Sequence, residues 1–377
     1  MIKYLDLPIK DKHNLAINKD VFSDIKDELE EFVLENNHTN TRTFAKKVMF
    51  SHEIKANNNI EGINDDLLLI EAIIKNAYNI KDEEQRKRII NLYKGYQYIL
   101  THRVFDKYHL RELYNILSDG LLCNADLSRM GYFYRTDKVY ILKSGRLDME
   151  LDQGIDYKMI EYYMNYYFDY INSNNNLDTL TDYFIKSQIM HLYLVFIHPY
   201  FDVNGRTSRT MAMWYLLREK AYSFILFNRA ITFDSKYYDK KIIAAKEKAD
   251  VSNFLRYMMI DVKKELEKEM VMAEIAHNTH GKLTSIDYQS LMYAISMNDK
   301  INVLNFATMY NRFNDKKKVK EIYEECILPL VDKNILVLNR TTSKNMFDNK
   351  RNEVYKFSNN VFNKKSPKIR RLNLNNK

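Results

Sequence analysis

Glycine and proline are the residues that most strongly punctuate helices, and this chain of 377 residues holds only 8 glycines and 4 prolines. Leu, Ile, Lys, Glu and Met, which propagate helices, are abundant, so the sequence predicts a mainly α protein. Its length exceeds one ordinary core and points to about two to three domains. From about 20 to 117 apolar residues recur every three or four positions, as at Leu67, Ile70, Ile74 and Ala77, the spacing of amphipathic helices in a bundle. At 131–142 the pattern changes to the aromatic and β-branched runs Tyr132-Phe133-Tyr134 and Val139-Tyr140-Ile141-Leu142, which predict a small β-hairpin.

Helical spacing resumes at about 156–171, breaks in the asparagine-rich 172–176, and returns in a strongly apolar helix over about 179–197. Pro199 disfavours helical geometry at His198 and ends that helix. The next helix is expected from Gly205 through Trp214 to about Lys220, with two more over 236–276 and a linker at His280-Gly281. Beyond it, helices at 284–297, 301–312 and 317–332 precede the strands Ile335-Leu336-Val337-Leu338 and Val354-Tyr355-Lys356-Phe357. Three helices and a hairpin suggest a winged-helix-like module. The expected division is therefore 1–95, an N-terminal helical region; 96–275, a helical core; 282–360, the winged-helix-like domain; and 361–377, a basic tail.

The formal charge of +8 suits nucleotide phosphates or an acidic partner and is too small to demand nucleic acid. Cys123 and Cys326 lack C-x-x-C spacing, so neither a disulfide framework nor a thiolate metal site is indicated. The N-terminus lacks a basic region followed by an apolar run. No stretch approaches the roughly 18 apolar residues of a membrane span. A cytoplasmic protein without membrane association is expected.

The chemistry concentrates in His198-Pro199-Tyr200-Phe201-Asp202-Val203-Asn204-Gly205-Arg206-Thr207-Ser208-Arg209. A helix beginning near Asn204-Gly205 would aim unpaired N–H groups at an anion. Arg206 and Arg209, three apart, share one helix face and can grip successive phosphates. Asp202 would repel those phosphates unless it holds Mg²⁺, which takes one or two carboxylates and fills its shell from phosphate and water. His198 faces the same loop, and an imidazole of ordinary pKa near 6.5 suits removal of a proton from an attacking hydroxyl.

With these residues in place, the segment resembles the Fic family motif, H-x-F-x-[DE]-G-N-[GK]-R-x-x-R. The resemblance implies His198 as general base, Asp202 as Mg²⁺ ligand, Asn204 and Gly205 in the anion hole, and Arg206 and Arg209 on the β- and γ-phosphates of ATP. It implies a Fic-type helical bundle over the core, with a hairpin flap. Tyr200 stands for the usual Phe and Val203 for the usual Gly. A β-branched residue resists positive φ, so a phosphate turn needing that geometry would be strained here, whereas an extended or helical one would accept valine.

Ala56-Asn57-Asn58-Asn59-Ile60-Glu61-Gly62-Ile63 resembles the family's inhibitory segment, [ST]-x-x-x-E-[GN], with Asn57 in place of Ser or Thr. That likeness implies Glu61 pairing with Arg209. Residues 131–141 resemble the family's flap, whose strand edge would dock a target loop, with Tyr134, Arg135, Val139 and Ile141 as docking positions. The resemblance covers roughly 50–220.

The expected activity is transfer of AMP from ATP to a Ser, Thr or Tyr hydroxyl of a target protein, autoinhibited by Glu61. Self-modification and a homodimer are compatible with it. AMP removal, or transfer of phosphate or phosphocholine, fits the same motif. A different class is a DNA-binding regulator acting through the winged helix, with Lys316-Lys317-Lys318 on backbone phosphates.

Overall fold

Helices dominate, as the shortage of glycine and proline predicts. The computed structural model describes residues 2–9, 13–36, 48–75, 82–141, 152–173, 177–232, 234–279, 283–297, 301–341 and 353–358. The expected linker at His280-Gly281, Leu142 and the basic tail lie outside them. The chain divides into two compact units, one of residues 1–60 and 72–263, the other of residues 61–71 and 264–377.

The first unit opens with an antiparallel hairpin, β1 (Ile2–Pro8) and β2 (Asn14–Asn18), paired from Ile2 against Asn18 to Pro8 against Asn14. Helical spacing gave no sign of it. Helices α1 (Ser23–Asn36), α2 (Val48–Ile60), α3 (Leu67–Ile74), α4 (Glu83–Thr101), α5 (Lys107–Ser118) and α6 (Asn124–Ser128) follow, α3 being shared with the second unit. The anticipated boundary at 95–96 lies inside α4. Strands β3 (Tyr140–Ile141) and β4 (Asp152–Gln153) pair antiparallel. Then come α7 (Ile160–Asn172), α8 (Leu180–Ile197), α9 (Asn204–Arg218), α10 (Phe227–Thr232), α11 (Ser235–Lys248) and α12 (Ser252–Asn278), whose last residues belong to the second unit.

The β-hairpin differs from the expectation. Gly131 N donates to Tyr134 O at 2.8 Å, which closes 131–134 into a turn and removes Tyr132-Phe133-Tyr134 from any strand. The partner of β3 is instead β4, after the undescribed 142–151.

Helix α8 is buried on nearly every side, its polar Lys186, Ser187, Gln188 and His191 included, and is therefore central. Thr179 caps its start by accepting from Asp182 N at 3.2 Å. Helix α9 is as buried but carries Thr207, Ser208 and Thr210. Their hydroxyls donate back to the carbonyls of Val203, Gly205 and Arg206 at 2.8, 2.9 and 2.8 Å, so a polar face survives inside the core. Trp214 anchors the far end of α9: its indole is fully buried and Nε1 donates to His102 O at 2.7 Å. Helix α7 shows the simpler rule, burying Ile160, Met164, Tyr167 and Ile171 at helical spacing.

The second unit contains α13 (Ser285–Ser296), β5 (Ile301–Asn302), α14 (Val303–Phe313), α15 (Val319–Ile322), a π-helical turn (Tyr323–Ile327), α16 (Leu328–Asp332), β6 (Leu336–Thr341) and β7 (Glu353–Phe357). The strands form an antiparallel sheet in the order β5-β7-β6. A capping box of Thr284 and Asp287 starts α13, and Lys333 pairs with Asp287 at 2.9 Å. The helical segments and the hairpin stand where expected; β5 is an addition too short to announce itself in sequence.

Candidate active site

The site grows from the junction of α8 and α9. His198 caps α8 with left-handed backbone, φ 52° and ψ 61°, while its N–H still bonds Leu194 O at 3.0 Å. The next residues are held from two sides. Tyr200 is buried and stacks on Tyr114 with centroids 3.6 Å apart, so tyrosine anchors this position in the core. Asn204 then staples the turn: Oδ1 accepts from Tyr200 N at 3.0 Å and Nδ2 donates to Tyr200 O at 2.9 Å. Its side chain thus shapes the loop.

Val203 adopts the strained alternative, φ 64° and ψ 11°, with its side chain buried. A β-branched residue there carries strain on the order of 1–3 kcal/mol, offset by apolar burial worth roughly 1.5–3 kcal/mol. Alanine would lose the burial yet keep most of the strain; glycine would lose both. Val203→Ala is therefore expected to be less stable than Val203→Gly by about 1 kcal/mol, the reverse of the usual order, in urea unfolding of the two variants.

Beyond Val203 the first-turn N–H groups of α9 lack intrahelical acceptors. Arg206 is 7% exposed, and its Nε and Nη1 are buried with no hydrogen-bond acceptor among the described residues. Its Nη2 lies 4.0 Å from Asp202 Oδ2. Such a guanidinium at a helix start has the charge and the donors to receive an anion. The Asp202 side chain is 60% exposed, with Oδ1 accepting from Val203 N at 2.6 Å. A single accessible carboxylate beside an anion site fits Mg²⁺ that draws its other ligands from phosphate and water.

Arg209 is turned elsewhere. Its Nε and Nη2 both donate to Asn57 Oδ1, at 3.0 and 2.7 Å, and Asn57 Nδ2 donates to Tyr96 OH at 3.2 Å. Asn57 lies on α2, a helix whose polar residues Ser51, His52, Glu53, Lys55, Asn57, Asn58 and Asn59 are all buried. Burial, with Arg229 and Lys55 nearby, pushes the His52 imidazole down to about 3. The other buried histidine of this region, His191, is pushed down to about 3 by burial and the Arg209 charge, and pairs with Tyr238 OH. Both are neutral core histidines. Glu61 follows α2 by one residue, exposed in a turn closed by Gly62 at φ 79°.

Of the docking positions, Ile141 contributes backbone to β3 and Val139 is buried. Tyr134 lies with its ring 6.4 Å from that of Tyr200. Arg135 points inward: it is 2% exposed and its guanidinium donates to the carbonyls of His198, Asp137 and Ile155. The structure thus joins His198, Asp202, Asn204, Gly205 and Arg206 in one loop and helix start. Sequence reasoning missed the Asn57 contact to Arg209 and the inward course of Arg135; a lone arginine in a strand-like run carries no sign of its burial. In the second unit, Lys317 pairs with Glu325 at 2.6 Å and Asp66 at 3.9 Å, and Lys320 lies 3.9 Å from Glu324.

Residues 104–216 match the Fic/DOC family. The chain is similar to a Fic family protein from Desulfovibrio desulfuricans G20, with 16% identity, 90% of this chain and 96% of that chain covered, and a TM-score of 0.57. It is also similar to Fic-1 from C. elegans, with 16% identity, 68% and 72% covered, and a TM-score of 0.51. At these identities the likeness establishes the fold. No curated protein matches the chain. Among the described residues no helix is long and apolar enough to cross a membrane.

Proposed function

We propose that this chain, a Fic/DOC family protein, transfers AMP from ATP to a hydroxyl side chain of a target protein. Family membership supports a Fic-fold enzyme of phosphate-containing group transfer; the choice of AMP is our reading. The observation that carries it is Arg206, a buried guanidinium in the first turn of α9 whose Nε and Nη1 have no acceptor among the described residues, just after the loop that follows His198. In this reading Arg206 and the first N–H groups of α9 bind the phosphates in line. The His198 imidazole takes the proton of the target hydroxyl as its oxygen bonds to the α-phosphorus. The bond from that phosphorus to the bridging oxygen breaks, and pyrophosphate leaves. Asp202 would hold Mg²⁺, whose charge offsets that of the triphosphate.

The contact of Arg209 with Asn57 supports a resting, inhibited state, since the guanidinium expected on the γ-phosphate is engaged by α2. We assign Glu61, just past that helix, to the same inhibitory segment. DNA binding by the second unit draws less support, because Lys317 and Lys320 are already paired with carboxylates.

The test incubates wild type, Glu61→Gly, and Glu61→Gly with His198→Ala with Mg²⁺ and ATP labelled at the α- or γ-phosphorus. The expected result is α-label on protein in the second sample, raised about tenfold over wild type, the factor given by about 1.4 kcal/mol of lost pairing. Label from the γ-position alone would identify phosphate transfer instead. Absence of both labels would overturn the reading.

A further inference from the structure

We propose that Arg135 is a positioning residue for His198, fixing the backbone on which the imidazole is carried; the inference rests on the transfer reading above. His198 is the carrier of the reacting group and sits in left-handed geometry that an L-residue keeps only when its surroundings impose it. Arg135 supplies that imposition. Its Nε donates to His198 O at 2.9 Å, and its own backbone N–H donates to Pro199 O at 3.0 Å, so two successive peptide units of the loop end on one residue. The rest of the guanidinium is tied down by Asp137 O at 2.6 Å and Ile155 O at 2.5 Å. One planar, five-donor group therefore spans three segments: the flap turn, the residues after β4, and the loop between α8 and α9.

Burying that charge is unfavourable, and burial holds the Arg135 guanidinium down at about 10, with Asp156 and Asp137 partly offsetting the loss of water. Lysine, with a point-like ammonium, could not make this fork. Gly154 is the second part of the bracket. A Cβ there would stand 2.8 Å from Arg135 Nη2, 2.8 Å from Val139 Cγ1 and 3.2 Å from His198 Cβ. The chain after β4 thus closes on Arg135 and His198 together, and a single added methyl must displace one of them. The guanidinium of Arg135 bonds His198 O, Asp137 O and Ile155 O, so the expected effect is on the imidazole and not on nucleotide binding.

The experiment uses the full-length Glu61→Gly chain with and without Arg135→Met, Arg135→Lys and Gly154→Ala. The first measurement needs no activity: the ring resonances of ¹³C-labelled histidine. The His198 signal, assigned by its loss in His198→Ala, is expected to shift and broaden in Arg135→Met and Gly154→Ala, while the buried His191 signal stays in place as a folding control. The second measurement is kinetic. Mg-ATP dissociation constant and KM are expected to stay within about threefold, while kcat falls about 100-fold in Arg135→Met, the scale of misplacing a reacting group by about 1 Å. Arg135→Lys is expected to recover less than a tenth of that loss. A His198 signal unchanged in both Arg135→Met and Gly154→Ala overturns the positioning role, whatever the activity. Equal falls in nucleotide affinity and kcat would make Arg135 a general fold element and overturn it too. If the parent Glu61→Gly chain neither binds Mg-ATP nor transfers AMP, the transfer reading fails, and the resonance of His198 still decides whether Arg135 holds it.

Discussion

Replacing His198 by alanine in the Glu61→Gly chain is expected to lower AMP transfer about 10²–10⁴-fold, the range that a general base contributes, with Mg-ATP affinity changed by less than about threefold. The separation follows from where the groups sit. Phosphates are proposed to meet Arg206 and the first N–H groups of α9, whereas the imidazole is carried on the cap of α8, on the other side of the Tyr200–Asn204 staple. Alanine keeps an L-residue at φ 52°, so the backbone constraint on the loop is preserved and only the proton acceptor is removed. Some transfer should persist, because positioning of phosphate against hydroxyl operates without the base. Single-turnover transfer of α-label and calorimetric titration with Mg-ATP check the two halves. Transfer within a factor of about three of the parent would remove His198 from the mechanism, and loss of nucleotide affinity would make it a binding residue.

How much of this arrangement was legible beforehand depends on which signal carried it. The α8–loop–α9 unit was, because Pro199 ends one helix and Asn204-Gly205 opens the next, both through local backbone rules. The consequence of Val203 was legible only as a choice, and φ 64° resolves it toward the strained branch. Helix α2 was legible as a helix but not as an interior one: seven polar residues in a row of buried positions violate the binary pattern that sequence reading depends on. What makes them tolerable is tertiary, the guanidinium groups of Arg209 and Arg229 arriving from positions more than 150 residues later. The flap failed for a related reason. Its aromatic and β-branched runs predict two paired strands, while the partner of β3, β4, has two residues and lies beyond 142–151, so no hairpin spacing could reveal it.

The same tertiary dependence makes α2 the place where one substitution should unfold most. Glu53 is fully buried on α2 and its Oε1 lies 3.1 Å from Arg229 Nε on α10, itself almost as buried. A buried pair of this kind adds little over an apolar pair, yet removing one member strands a charge, at a loss of about 3–5 kcal/mol. The two members are not equivalent. Glu53 sits among cations: Arg229 and Lys55 act on His52, and Arg209 shares the surroundings of Tyr96 with Glu53. Glu53→Gln therefore leaves Arg229 without its carboxylate in a region that also holds Lys55 and Arg209, whereas Arg229→Met leaves one carboxylate in a region that stays rich in cations. Glu53→Gln is expected to be the more damaging, near the upper end of that range, and Glu53→Leu with Arg229→Met to recover most of the loss. Urea unfolding of the three variants measures the order, and amide exchange along residues 50–60 locates it. If Glu53→Gln is no less stable than wild type, the charge at this position is not what secures α2, and the hydrogen bonds of Arg209 to Asn57, with packing, hold the helix instead.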